Sequence, residues 1–485
     1  MRALLPVAHV LGGLLMVFAA TYVLPIATSL IYRDGTVMSF VLAMAIDFAL
    51  GAALWLATRR HGQELRPRDG YLLVTAGWLL MALAASIPLL LALPGMSYTD
   101  VFFETMSGLT TTGATVIAGL DTLPPAINLW RHALQWYGGM GIIVLAIAVL
   151  PLLGVGGMQL YRAEMPAGAY KDKLTPRITD TAKALWFVYA GITALCILAL
   201  RACGMGWFDA INHGFSAVAL GGFSTRDANI GHFDSPLIEG VLVFFMTLSA
   251  INFATHFTAF RERSPRAYLG DAEARAVLVV LAGSCVGIAA YLWLRNVYPD
   301  YPSALRHAMF HVVSVATTTG YSSADYAQWP AFAVFWMLFL VCITSSTGST
   351  GNGIKMFRTL MLMQQAAREL RRLIHPQLVA PLRLGAHVVP NGVVYAILAF
   401  IFLYFMSVVA LTFVLMLSGL EFVTAFATTI AWITNLGPGL NEVGPASNYA
   451  GMTTFQKWIG IAAMLTGRLE IFTVFVLFTP AFWRR

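Results

Sequence analysis

Apolar residues run in stretches of near twenty, divided by short polar segments, along the whole 485-residue chain. Twenty helical residues cross roughly 30 Å of hydrocarbon. Ten such stretches predict spanning helices at 4–31, 37–57, 71–93, 127–151, 184–201, 237–260, 276–295, 331–357, 391–418 and 455–479. The first looks like a secretory signal, but it is longer than a usual signal core and more spans follow, so it reads as a retained helix. Four shorter apolar stretches, 99–112, 208–221, 303–319 and 421–436, lie between the spans and run to a glycine. Being too short to cross, they enter and leave on one face. Non-helical backbone at that depth must line a cavity or be buried in protein.

The short stretches register on Gly113, Gly222, Gly320 and Gly437, at intervals of 109, 98 and 117 residues. Read up to each glycine, they are Thr110-Thr111-Thr112-Gly113, Ala219-Leu220-Gly221-Gly222, Thr317-Thr318-Thr319-Gly320 and Thr434-Asn435-Leu436-Gly437. Six positions upstream stand Ser107, Ser216, Ser314 and Ala431. A lone TTTG carries no information, but two copies with two degenerate relatives in register define a repeat. Each unit reads membrane helix (M1), short pore helix, glycine loop, membrane helix (M2). The expected fold is an all-α membrane protein with four such repeats around one pore. The expected units are 71–183, 184–275, 276–390 and 391–485, after a two-helix addition at 1–70.

Composition agrees with a bilayer protein: 58% of residues are hydrophobic and 11% charged, against about 25% charged in soluble domains. Mean hydropathy is +0.73. The segments 58–70, 152–183, 261–275 and 355–390, the C-terminal tail and Arg2 together carry 22 of the 30 Lys and Arg residues. The opposite face has seven basic residues against twelve acidic ones. By the positive-inside rule the basic set is cytoplasmic, both termini are inside, and the four short segments open outward. Arg59, Arg60, Arg371 and Arg372 read first as topology signals. Cys196, Cys203, Cys285 and Cys342 are scattered, so neither a disulfide framework nor a metal site is expected. No cluster of His, Asp, Glu or Ser/Lys at one depth suggests a membrane enzyme.

A cation entering a narrow pore must exchange water for oxygen ligands, and rings of backbone carbonyls supply them. Glycine permits the backbone angles that turn carbonyls toward an axis. The candidate ion ligands are therefore Thr111, Thr112, Leu220, Gly221, Thr318, Thr319, Asn435 and Leu436, with Gly113, Gly222, Gly320 and Gly437. The pore helices would point their partially negative C-termini at mid-membrane. Asp100, Asp209 and Glu421 sit at their outer ends, as favourable charges or simple caps. Outer acids such as Asp227, Asp234 and Asp325 read as ordinary loop residues. His213, His311, His256 and Asn252 read as packing residues.

With these units the chain resembles the Trk/Ktr/HKT superfamily of potassium transporters. Its length and two extra N-terminal helices favour the TrkH branch over the shorter KtrB branch. The local features are Ser345-Ser346-Thr347-Gly348-Ser349-Thr350-Gly351-Asn352-Gly353 and Gly467-Arg468-Leu469-Glu470. The resemblance implies potassium as the transported ion, a bacterial inner-membrane location and a homodimer. It also implies a cytoplasmic ring of TrkA-type nucleotide-binding subunits, for which 58–70, 162–183 and 355–383 are plausible docking surfaces. This chain has no nucleotide-binding domain of its own, so no bound organic cofactor and no nucleic-acid partner are expected.

The resemblance further makes Thr344–Lys355 an intramembrane loop breaking M2 of the third repeat, with Gly348, Gly351 and Gly353 as gating residues. Three glycines in six residues do not hold a stable helix, which suits a movable plug; a kinked packing helix is the alternative. A phosphate loop is excluded, because the GxxxxGK[ST] spacing is not met. Arg468 stands out as the one basic residue well inside a predicted span. An intramembrane charge is functional by default, and the resemblance puts it below the filter as a barrier to cations. A buried pair with Glu470 or Asp47 is the structural alternative. Because each unit offers one glycine in its own context, discrimination between potassium and sodium is expected to be weaker than in a channel with several equivalent carbonyl layers. A transporter coupling potassium to protons or sodium is the competing function; it needs a titratable site on the path, for which Asp47 and Glu470 are the candidates.

Overall fold

The computed structural model describes residues 4–61, 67–148, 178–385 and 387–484. Arg2, and most of the basic segment expected at 152–183, lie outside them. The described chain is helical apart from a small antiparallel hairpin that pairs Leu382–Leu384 with His387–Val389. Six continuous helices are long and apolar enough to cross a membrane: Leu4–Tyr32, Val37–Thr58, Arg68–Ala92, Lys183–Ala202, Ala272–Leu294 and Asn391–Leu417. Another, Pro125–Ala148, occupies the place of the fourth expected span. Large apolar side chains such as Phe187, Val279, Leu294 and Phe402 are exposed on these helices, as a lipid-facing surface requires.

Four short helices alternate with them: Tyr98–Leu109, Trp207–Ala219, Tyr301–Ala316 and Phe422–Ile433. Local chemistry sets their starts. Ser97 and Asp300 cap the first and third with side-chain oxygens on the N–H groups of Asp100 and Ser303. The second starts from Gly206 with no side-chain cap, so neither Asp100 nor Asp209 is a cap. Asp100 is ion-paired with Lys457 at 2.6 Å, and Asp209 accepts from Thr225 at 2.6 Å and Arg226 at 3.0 Å.

Two spans expected to be continuous are sharply broken. Pro236–Ser249 turns by 96° into Phe253–Glu262, and Thr454–Arg468 turns by 114° into Ile471–Phe478. Asn252 makes the first corner: its backbone is non-helical and its side chain caps the next helix through the N–H of Ala254. Glu470 makes the second, at φ +59°. Hydropathy averaged along either run shows no corner, although Asn252 and the run Gly467-Arg468-Leu469-Glu470 stand inside them. The one break that was expected, at Thr344–Lys355, is present: Ala331–Ile343 ends, and the chain resumes as helix at Met356–Ile374.

The N-terminal pair packs backbone to backbone. A Cβ on Gly12 would lie 2.7 Å from the Trp55 nitrogen and 2.8 Å from the Gly51 oxygen, so small residues bring these helices together. Phe18, Tyr22 and Phe40 then pack edge-on or tilted around Trp130 and join the pair to the Pro125–Ala148 helix. Buried Asp47 accepts from the Tyr22 hydroxyl at 2.7 Å.

Candidate functional site

All four short helices end alike. The N–H groups of Thr112, Gly221, Thr319 and Leu436 reach back to the carbonyls of Ser107, Ser216, Ser314 and Ala431 at 2.8–2.9 Å. The preceding N–H groups, of Thr111, Leu220, Thr318 and Asn435, bond to Gly108, Ala217, Val315 and Trp432. This pair of bonds is a Schellman stop, which needs a left-handed residue. Those residues are left-handed, at φ 54°, 55°, 64° and 55°, although none is glycine. Each such conformation costs about 1 kcal/mol or more, so the surrounding structure must enforce it. The upstream serines that mark the repeat in sequence thus sit at the carbonyls closing each helix.

Two residues on, Gly113, Gly222, Gly320 and Gly437 are left-handed again, at φ 80°, 76°, 83° and 95°. A Cβ on Gly113 would fall on the carbonyl oxygen of Gly221. On Gly222 it would fall on that of Thr319, on Gly320 on that of Leu436, and on Gly437 on that of Thr112. Each glycine lies against the next loop's pre-glycine carbonyl, and the cycle closes from the fourth loop to the first. The structure thus brings the candidate residues of all four stretches into one ring. Among the described residues, the buried carbonyls of Thr112, Thr319 and Leu436 accept no hydrogen bond. Buried carbonyls require a partner, so the donor set fits a dehydrated cation. The four glycines also line one vestibule, with Phe223, Arg226 and Tyr449 among its other walls.

The degenerate loops are braced differently. Thr110 bonds Thr112 at 2.7 Å and Thr317 bonds Thr319 at 2.8 Å through paired hydroxyls. In the second loop, where Leu220 and Gly221 replace threonines, Gln135 donates to the Gly221 carbonyl at 2.6 Å and accepts from Ser216 and Phe223. In the fourth, the Asn435 amide reaches Thr112 and the Met464 carbonyl, both at 2.9 Å.

Beneath the ring, the loop 344–355 is held on the corner of the second repeat's M2. Ser346 donates to the Ala250 carbonyl at 3.0 Å, Phe253 donates to Gly348 at 3.1 Å, and Thr350 donates to Ser249. Gly348 abuts the Asn252 side chain, and Gly351 abuts Ser345 and the Thr317 carbonyl. Gly353 lies against the carbonyls of Val341 and Cys342. The N–H of Asn352 reaches the Thr318 hydroxyl at 3.2 Å, linking this loop to the ring. Glu273, in the first turn of Ala272–Leu294 and 1% exposed, accepts from the Thr347 N–H at 2.9 Å. Asn252 is therefore more than a packing residue.

Arg468 is buried at the junction. It donates to Thr111 Oγ1 and the Gly138 carbonyl, both at 2.7 Å, and to Asn352 and the Thr350 carbonyl at 3.2 and 3.3 Å. All four acceptors are neutral. The expected alternative partners are engaged elsewhere: Glu470 pairs with Arg358 at 2.7 Å, and Asp47 with Tyr22. Arg468 is not the one buried basic residue in a predicted span. Arg131, within 127–151, is 1% exposed and paired with Glu104 at 2.8 Å. Sequence reading passed over Glu104, Arg131, Gln135, Glu273 and Arg358. For Arg131 and Gln135 the signal was available, as polar residues inside an apolar span.

Residues 36–485 match the family model TrkH, described as cation transport protein. The chain is 48% identical over 480 residues to the Trk system potassium uptake protein TrkH of Halomonas elongata, with 99% of each chain covered. It is 43% identical to the Escherichia coli K12 protein of the same name, again over 99% of each. It also superposes on the crystal structure of the potassium transporter TrkH from Vibrio parahaemolyticus with a TM-score of 0.91, at 42% identity and 99% coverage of both chains. With the ring of loops and the helical architecture already described, these matches place the chain in the TrkH family of cation transport proteins.

Proposed function

We propose that this chain takes up potassium across the bacterial inner membrane through a gated, channel-like pore. The observation that carries the reading is the closed ring of four glycine loops with buried carbonyls free to meet a cation. In this reading Thr111, Thr112, Gly113, Leu220, Gly221, Gly222, Thr318, Thr319, Gly320, Asn435, Leu436 and Gly437 form the selecting layer. Gly348, Gly351 and Gly353 give the loop beneath it freedom to move, and Arg468 opposes cation passage until that loop shifts. The relatives' names support potassium as the ion and transport, rather than a reaction, as the activity. The units 71–183, 184–275, 276–390 and 391–485, with 1–70 as an addition, are the matching division of the chain. Both termini are cytoplasmic, the assembly is a homodimer, and TrkA-type subunits dock on the basic cytoplasmic face.

The competing reading, coupling to protons or sodium, would use Asp47 or Glu470. Each is held by a group outside the ring: Asp47 accepts from Tyr22, and Glu470 is paired with Arg358. The test is potassium and rubidium flux into liposomes holding the purified protein, with no proton or sodium gradient. Flux that persists supports the pore; flux that needs either gradient overturns it. The same vesicles test the expected weak preference for potassium over sodium, which a high permeability ratio would refute.

A further inference from the structure

Glu104, His213, His311 and Thr428 each stand nine residues before a ring glycine, on the buried face of a pore helix. Their chemistry differs, which hides the equivalence in sequence. In the first three repeats each contacts the segment two to four residues beyond its ring glycine. Glu104 accepts from the Thr115 hydroxyl and the Val116 N–H, both at 2.9 Å, two and three residues after Gly113. His213 Nε2 meets the Ser224 hydroxyl at 3.0 Å, two residues after Gly222. His311 Nε2 meets the N–H groups of Ser323 and Ala324, both at 3.2 Å, three and four residues after Gly320.

The partners fix the histidine tautomers. His213 Nδ1 lies 2.7 Å from the Asp209 carbonyl, and His311 Nδ1 lies 2.8 Å from the His307 carbonyl. A carbonyl only accepts, so each Nδ1 carries the proton and each Nε2 is an acceptor. The Ala324 carbonyl, 3.1 Å from His311 Nε2, is then a contact rather than a hydrogen bond. In three repeats, therefore, a buried acceptor on the pore helix holds donors of the segment that leaves the ring. Glu104 is itself fixed by Arg131, whose Nε and Nη2 both lie 2.8 Å from the same carboxylate oxygen.

The fourth repeat departs from the plan. The Thr428 hydroxyl is buried without a hydrogen-bond partner among the described residues. Support comes from outside the pore helix instead, as the Tyr449 hydroxyl donates to the Gly437 carbonyl at 2.6 Å.

We propose that Glu104, His213 and His311 are positioning residues for ion selection. They act as struts that hold the segment after each ring glycine and so fix the spacing of the carbonyl ring, with Tyr449 taking this part in the fourth repeat. The proposal rests on the pore reading above. A ring with one loop released fits a dehydrated cation less uniquely, so losing a strut widens the accepted ion size.

The test compares potassium and sodium permeability in liposomes for wild type, His311→Leu, His311→Gln and Ser224→Ala. Leucine removes the acceptor, whereas the glutamine oxygen can occupy the Nε2 position. Ser224→Ala removes a donor from the receiving end with little change of volume. The expected result is a threefold to tenfold fall in the potassium-to-sodium ratio for His311→Leu, on the order of one lost buried hydrogen bond. His311→Gln returns the ratio to within about twofold of wild type, and Ser224→Ala shifts it by at least about twofold in the direction of leucine. A role confined to folding would lower the melting temperature and leave the ratio unchanged. Unchanged ratios in folded His311→Leu and Ser224→Ala overturn the proposal while leaving the pore intact. If His311→Leu does not fold, Ser224→Ala decides alone. A wild type that carries no ion down its gradient removes the pore reading and this proposal with it.

Discussion

Replacing Arg468 by glutamine separates charge from hydrogen bonding at the centre of the molecule. Arg468 touches the first glycine loop through Thr111 and the loop 344–355 through Thr350 and Asn352. Its acceptors are neutral oxygens, so none of them cancels its charge. A cation about 6 Å from the guanidinium, at an effective dielectric near 20, is repelled by roughly 3 kcal/mol. That corresponds to about a hundredfold in rate, at about 1.4 kcal/mol per decade. Arg468→Gln keeps a donor toward Thr111 and drops the charge. Rubidium flux in liposomes without a cytoplasmic partner should rise by about two orders of magnitude on that scale. Arg468→Lys, which keeps the charge, should remain within about threefold of wild type. Melting temperatures of both variants control for folding. A folded glutamine variant with flux within threefold of wild type would refute the electrostatic argument and leave Arg468 as a structural tie.

Three further outcomes follow from the geometry. Gly320→Ala should abolish flux, because a methyl there would meet the Leu436 carbonyl and Pro438 at a left-handed φ of 83°; retained flux in the purified variant would contradict the ring. Glu273→Leu should raise basal flux several-fold, since the buried Thr347 N–H would lose its acceptor, a loss of about 1–3 kcal/mol; the same vesicle assay reads it. Arg358→Met should lower thermal stability by about 2–3 kcal/mol, below the usual cost of breaking a buried pair because the Glu470 side chain is 29% exposed; calorimetry in detergent measures it, and an unchanged melting temperature would dismiss the pair as a stabilising tie between the lower parts of two M2 helices.

The four glycine positions were legible because a repeat leaves its mark in register. Ser107, Ser216 and Ser314 fall at the same offset, and the structure finds them at the same closing carbonyl. The corners at Asn252 and Glu470 were not legible. Hydropathy sums over a window, and a corner buried in protein leaves the sum unchanged. His213 and His311 read as packing residues because a buried histidine on a helix looks the same in sequence whether its outer nitrogen meets a side chain or a filter segment. Arg131 was legible as a charge inside an apolar span, but its pairing was not, because Glu104 lies in a different helix, 27 residues away.

The sequence by itself determined the membrane class, the number and place of the short helices, the repeat and the unusual arginine. These depend on length, hydropathy and local turn chemistry, which are properties of neighbouring residues. Only the tertiary structure decided which loop follows which around the ring and what braces the degenerate loops. It also decided which acceptors Arg468 meets and where the M2 helices turn. Those outcomes rest on contacts between residues as far apart as Thr111 and Arg468. Burial makes every unpaired polar group costly, so in this interior the partner of each group is set by the assembled fold and not by its neighbours in the chain.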